Sequence, residues 1–399
     1  MNQKTLTGLA VAALVALVIA IAVNHSNRPR SENGGEAPAA DLVPSLKDHV
    51  NDIDKVVITG AESKPVATMT RGPNGWSIAE KSGFSADTGK LREFLLKLAD
   101  AKVLEQKTSS KDKYAMLGVE DVSDKDAKGV EVEIGGLQKP VKLIVGNGNQ
   151  HGGTFVRRAG EAESWLASGS LTVDKKTENW LRKDLADIAA TRISSIDITR
   201  PDGKTVHLAK STESDANFTL ADVPKGREAG TEYALNGPAS TLGGLKFDDA
   251  VPSKDAPPAE KPLKARFATF DGLTIDVVAW EKDGKDYAQL SASQDEKAAS
   301  AHVDAEIVKA KSDDAVKPAD AKAETPAADP AKDRDAKLAA LRKEADDLNA
   351  RFKDWAFVLP PYKYAAIDKA PDDFLKPLED KNAAKKDGAP PPAKKPKAG

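Results

Sequence analysis

At 399 residues the chain is too long for one typical core, and its 59 basic and 62 acidic side chains leave no net field to draw it onto nucleic acid. With no cysteine in the sequence, disulfide staples, thiolate metal sites, a cysteine nucleophile and a lipid-modified cysteine are all excluded. Aromatics make up only 5% of the chain, and Ala, Lys, Asp and Pro crowd its C-terminal half, so part of the length reads as solvated rather than core.

Residues 6–23 form an uncharged apolar run that includes Leu6, Leu9, Val11, Leu14, Leu17, Ile19, Ile21 and Val23. At about 1.5 Å per residue a helix of this length covers roughly 27 Å, close to a bilayer core of about 30 Å. Residues 1–23 are therefore predicted to be a retained transmembrane anchor, or an uncleaved signal, of a single-pass inner-membrane protein whose bulk lies in the periplasm. Ala20-Ile21-Ala22 also fits a signal-peptidase site, which is the competing reading. Residues 24–50 lack apolar periodicity and read as a tether.

A first unit is predicted over 51–190. Ile53, Val56 and Ile58 open a strand, Val66-Ala67-Thr68-Met69 a second and Trp76-Ser77-Ile78 a third, with turn residues between. Leu91, Phe94, Leu95 and Leu98 fall at helical spacing. More strands follow around Val130, Val132 and Ile134, then 141–145, 154–157 and 165–167. The order then restarts: Ile193, Ile196 and Ile198 repeat the spacing of Ile53, Val56 and Ile58, and Leu242 and Leu245 take the place of Leu95 and Leu98. The expected fold is thus α+β, two tandem copies of a mostly antiparallel strand-helix-strand unit behind one N-terminal transmembrane helix. The second copy occupies 191–293 and 354–380. It is interrupted by an Ala/Lys/Asp/Pro insert over 294–335, predicted to be disordered, and by an amphipathic helix over 336–353. Within that helix Leu338, Leu341, Leu348 and Phe352 step by three and four, a stripe able to dock on a partner. Residues 381–399 read as a basic disordered tail.

The N-terminal span, the strand-helix unit ending at Leu98 to Val103, the segment Tyr114-Ala115-Met116-Leu117-Gly118-Val119, Leu143-Ile144-Val145-Gly146 followed by Thr154-Phe155-Val156-Arg157, and Trp180-Leu181-Arg182-Lys183 ahead of Ile193-Ser194-Ser195-Ile196 are the features that carry a resemblance. Together they resemble a bacterial family known only as domain of unknown function 4340. The resemblance implies an envelope protein that accompanies ABC-transporter components of the kind linked to gliding motility, and it supplies no catalytic residues.

Residue chemistry adds little. The Gly- and Asn-rich segment 146–153, with His151, lacks the Gly-Lys-Ser/Thr ending of a phosphate loop and reads as a hairpin turn. The five histidines are scattered, so no zinc site is predicted. The acidic pairs Asp248-Asp249 and Asp372-Asp373 sit in charge-rich turns, and the tryptophans recur at equivalent places in the repeat, as core residues do. No catalytic, cofactor or metal residue is assigned. The expected function is a non-enzymatic, membrane-anchored periplasmic accessory subunit of an ABC-type transport or envelope complex. Its partners would be the membrane and other envelope proteins, ABC-transporter permease subunits among them. The alternative is a periplasmic polysaccharide- or lipid-binding module with its groove between the two copies.

Overall fold

The computed structural model describes residues 39–44, 46–316 and 330–377. In the first sheet β1 (Lys55–Thr59), β2 (Pro65–Gly72), β3 (Gly75–Ile78), β4 (Phe84–Ser85), β5 (Val103–Thr108), β6 (Val130–Gly135), β7 (Val141–Gly148), β8 (Thr154–Arg158) and β9 (Ser164–Ala167) pair in the order β4-β3-β2-β1-β6-β7-β8-β9-β5. Alternation of β-branched residues places β1 at the centre: Val56 and Ile58 are fully buried, and pair with Met69 and Ala67 on one side and with Ile134 and Val132 on the other. Helix α1 (Thr88–Asp100) starts where the Asp87 side chain accepts the Lys90 amide at 2.9 Å, and buries Leu91, Phe94, Leu95 and Leu98. Each such side chain contributes about 1.5–3 kcal/mol of burial.

The linker strand β10 (Asp184–Ala186) leads to β11 (Ile193–Thr199), β12 (Thr205–Ala209) and β13 (Thr219–Leu220). After the short helix α2 (Glu232–Asn236) come β14 (Leu245–Lys246), β15 (Asp249–Pro252), β16 (Leu263–Thr269), β17 (Leu273–Lys282) and β18 (Lys285–Gln294). Helices α3 (Glu296–Val316) and α4 (Pro330–Phe352), strand β19 (Trp355–Val358) and helix α5 (Pro361–Ile367) complete the described chain. The second sheet runs β13-β12-β11-β16-β17-β18-β19-β15, and β10 and β14 make a two-stranded sheet of their own. Replacing each strand of the second sheet by its counterpart reproduces the order of the first, except that nothing corresponds to β4.

The fold class needs correction. The described residues form three mostly antiparallel sheets of nine, two and eight strands with a few helices, not α+β copies of a strand-helix-strand unit. The helix expected at Leu242 and Leu245 is not formed. Pro238, Gly243 and Gly244, the last at φ 52°, leave only five-residue α2 and the tight turn Gly237–Thr241, and Leu245 opens β14.

The anchor expected over 6–23, with Leu6, Leu9, Val11, Leu14, Leu17, Ile19, Ile21 and Val23, lies outside the described residues. Among the described residues no helix is long and apolar enough to cross a membrane. The described residues thus supply no transmembrane helix for the expected fold, and the inner-membrane placement and the membrane and permease partners are not carried further.

The insert expected to be disordered over 294–335 is helical over Glu296–Val316 and again from Pro330, while 317–329 lie outside the described residues. Asp295 caps α3 by accepting the amides of Lys297 and Ala298, each at 3.0 Å. Ala299 and Val303 are buried, as are Ala345, Leu348 and Phe352 on α4. That burial offsets the ordering entropy that composition alone leaves uncovered. Ion pairs Arg334–Asp304 at 2.6 Å and Lys337–Glu306 at 3.2 Å join the two helices farther out. Where β19 stops pairing, the Asn349 amide takes the place of a strand, donating to the Ala292 carbonyl at 2.7 Å and accepting its N–H at 2.8 Å.

The two large sheets share one core. Phe84 of β4 meets Phe247 at 5.4 Å, Trp355 at 4.7 Å and Phe357 at 6.2 Å between ring centroids, all edge-on. Such pairs add about 0.5–1.5 kcal/mol each beyond their buried area. Beside them Lys81 Nζ donates to Glu178 at 2.8 Å and to Asp249 of β15 at 2.7 Å, joining the first unit to the second sheet. Burial works against the Lys81 charge, but the hydrogen bonds to Asp249 and Glu178 outweigh it and raise the pKa. Glu178 is held below its ordinary value by its hydrogen bond to Lys81.

The Glu178 contribution to stability is present above the ordinary glutamate value of 4.5 and is lost as pH falls through the lowered folded value. The Lys81 contribution is present below 10.5 and is lost as pH rises through the raised folded value. Lys81→Met is expected to cost roughly 2 kcal/mol at neutral pH, a breakage cost reduced for partial exposure. Urea denaturation should show this deficit shrinking on acidification below the glutamate range; a deficit independent of pH would assign the cost to lost packing instead.

Candidate functional site

The most distinctive concave surface lies in the second unit, between α2 and α5. Its first wall starts at Gly230, whose amide donates to the Phe374 carbonyl at 2.7 Å. A Cβ at Gly230 would stand 2.9 Å from that carbonyl oxygen, so the two segments approach this closely only with glycine. Thr231 then caps α2 by accepting the Ala234 amide at 3.3 Å, and Asn236 accepts the Phe218 amide at 3.0 Å. The opposite wall is α5, set by Pro360 and Pro361 at its start. The following turn Pro371–Phe374 is closed by Asp373, which accepts the Ala370 amide at 2.8 Å.

Between the walls is a groove of about 940 Å³ that includes Tyr233, Tyr362, Pro238, Ala366 and Phe374. Tyr233 is 89% exposed and Tyr362 69% exposed, in a chain with only five tyrosines. Glu232, Lys369 and Asp373 supply the charges.

Lys363, next to Tyr362, ties the walls together. It is buried, and its Nζ donates to the carbonyls of Ser240 at 2.7 Å and Gly243 at 2.6 Å. A cation on carbonyls at and just past the end of the Gly237–Thr241 turn compensates that turn's negative end. Burial pushes the Lys363 ammonium below its ordinary pKa. The same segment is anchored on the linker between the sheets, because Ile188 donates to the Leu242 carbonyl at 3.1 Å and Gly244 donates to Asp187 at 2.7 Å.

A second groove of about 680 Å³ lies in the first unit beside Leu42, Val43, Leu137 and Arg158, and its lining holds no Phe, Trp or Tyr. The space between the two sheets, where a sugar or lipid groove was expected, is filled by Phe84, Phe247, Trp355 and Phe357. A cavity of about 90 Å³ lies there, beside Phe84, Arg182 and Trp355.

The residues singled out by sequence are dispersed. Leu348 and Phe352 are buried in the core and Leu338 and Leu341 are half-buried, so the stripe proposed for docking faces the protein's own elements. Segment 146–153 joins β7 to β8, with Gly152 and Gly153 at φ 94° and 88°. Asp249 is engaged by Lys81, and Asp372 by Arg227 at 3.3 Å. Trp180 and Trp280 are buried. His49 pairs with Asp52 and His207 with Asp197, two separate pairs. Among the described residues no three His, Cys, Asp or Glu side chains converge as a metal site would require. Sequence reasoning did not select Tyr233 or Tyr362. The available signal was an aromatic set among turn residues, Gly230-Thr231-Glu232-Tyr233 and Pro360-Pro361-Tyr362.

Residues 76–266 match the family model described as domain of unknown function (DUF4340). That span is a DUF4340 domain. No curated protein and no solved structure matches the chain. The DUF4340 span begins in β3 and ends in β16, so it crosses the junction of the sheets and takes in α2 and Lys81, while α5 with Tyr362 and Lys363 lies beyond it. One wall of the groove thus belongs to the DUF4340 span and the other does not.

Lys363→Met is expected to lower stability by about 1–3 kcal/mol, because the Ser240 and Gly243 carbonyls lose hydrogen bonds from a charged donor. Amide exchange across 237–246 should quicken in that variant, whereas Tyr362→Phe should leave both readouts unchanged. Unaltered exchange in Lys363→Met would show that the linker alone holds the groove.

Proposed function

We propose that this protein is a non-catalytic accessory subunit that recognises an extended protein segment in the groove walled by Tyr233 and Tyr362. The observation that carries this reading is the display of two largely exposed tyrosine rings on a fixed base. Large aromatic side chains with a polar tip serve as anchors at protein interfaces, since they bury much area for few rotatable bonds. Proline-bearing peptides in particular dock in grooves lined by such rings. The charged rim of Glu232, Lys369 and Asp373 around apolar Pro238, Ala366 and Phe374 has the layout of an interface, polar outside and apolar within. The groove's titratable neighbours serve structure: Lys363 holds carbonyls and Asp373 holds the Ala370 amide.

Tyr233→Ala and Tyr362→Ala are each expected to change folding stability by no more than about 0.5 kcal/mol, as exposed positions do. Each should weaken a partner by about 2 kcal/mol, roughly thirtyfold, if its ring is an anchor. Affinity purification of the native and doubly substituted proteins from the source cells compares the two directly. A protein recovered with the native chain and lost with the double variant supports the reading. Identical partners for both, or a glycan or lipid recovered in place of a protein, contradicts it.

A further inference from the structure

We propose that the groove is occupied by the chain's own proline-rich tail, with Pro390-Pro391-Pro392 against Tyr233 and Tyr362 and Lys394 and Lys395 over the acidic rim. This inference rests on the groove being a peptide site and goes further by naming the peptide. Residues 378–399 lie outside the described residues.

The chain leaves the structure beside the groove. Phe374 lines it, and Leu375 bridges to Ala229. Lys376 is fastened to Glu228, by its amide at 2.9 Å and its ammonium at 2.6 Å, and Arg227 donates to the Lys376 carbonyl at 3.0 Å. The tail is therefore tethered at a fixed point two residues beyond Phe374, which lines the groove. Twelve residues, 378–389, separate Pro377 from Pro390. Twelve residues can reach at most about 40 Å. Such a tether holds its end at an effective concentration on the order of millimolar near the groove, so even a weak contact is populated.

The tail's chemistry matches the groove. Three consecutive prolines favour the polyproline II helix in advance of binding, so little entropy is lost on docking, and the groove offers the exposed rings of Tyr233 and Tyr362. Residues 381–399 hold six lysines against one aspartate. The groove offers Glu232 and Asp373 against Lys369, while Asp372, on the same turn as Asp373, is already paired with Arg227. The excess of one acid in the groove favours a segment that carries lysines. A docked tail makes the surface self-masking: an external partner must outcompete it, and its apparent affinity falls by the fraction of time the tail is bound.

The test uses the full chain labelled with 3-fluorotyrosine, which reports on all five tyrosines by fluorine NMR, assigned with single Tyr→Phe variants. The triple variant Pro390→Ala, Pro391→Ala, Pro392→Ala is expected to shift the Tyr233 and Tyr362 resonances and leave buried Tyr114 in place. A synthetic peptide of residues 386–399 should return both signals in the triple variant toward their native positions, and act at least tenfold more weakly on the native chain. Unshifted Tyr233 and Tyr362 in the triple variant overturn the proposal. If they then still respond to the added peptide, the groove remains a peptide site without its tail; if they respond to nothing, only the partner experiment above still bears on that reading. Shifts that grow with protein concentration would move the tail to a second copy, which also overturns docking within one chain.

Discussion

Phe84 stands where the two large sheets meet, its ring edge-on to Phe247, Trp355 and Phe357. It sits on the last strand of the first sheet, a two-residue edge that would otherwise end in solvent. The contact converts that edge into core. Around it the chain repeats the same device with backbone: Ala86 bridges to Leu181, Arg182 donates to the Ser85 carbonyl, and β10 pairs with β14. Lys81 adds a charge contact at the rim of the same junction. Two sheets of like topology thus bury one another's open end, and β4, the strand without a counterpart, is the one that makes the join.

The groove follows from that join. Strand β14 is held by the linker, which also holds Leu242 and Gly244, and Lys363 of α5 engages the neighbouring Ser240 and Gly243 carbonyls, fixing the helix that carries Tyr362. Each step is a hydrogen bond to backbone, so the tyrosines can be exposed without being loose. Exposure of two large rings on a fixed base is the feature that a folding argument alone leaves unexplained, and recognition of an extended segment accounts for it.

Strands were legible because burial on one face writes a period of two into the sequence, as at Val56 and Ile58 or Val130, Val132 and Ile134. The turn at Gly152 and Gly153 was legible because only positive φ suits it. Helix α3 was not. Its Ala, Lys, Asp and Glu content is common to solvated filler and to helices, and only the seating of Ala299 and Val303 on the fold separates the two. The α+β reading overcounted helix because Leu242 and Leu245 kept the spacing of Leu95 and Leu98 while Gly243 and Gly244 removed the propensity. Tyr233 and Tyr362 were invisible for a different reason. Each is a lone aromatic among turn residues, and the groove exists only after β19 has carried α5 back across the second sheet to α2.

Amide hydrogen exchange on the full chain reads the central claim, that the two sheets open as one body, most directly. The account predicts that amides of β10 and β14, and those of Ala86 and Arg182 at the junction, exchange as slowly as the central amides of β1 and β11. Fast exchange at the junction with separate, unequal protection of the two sheets would contradict it.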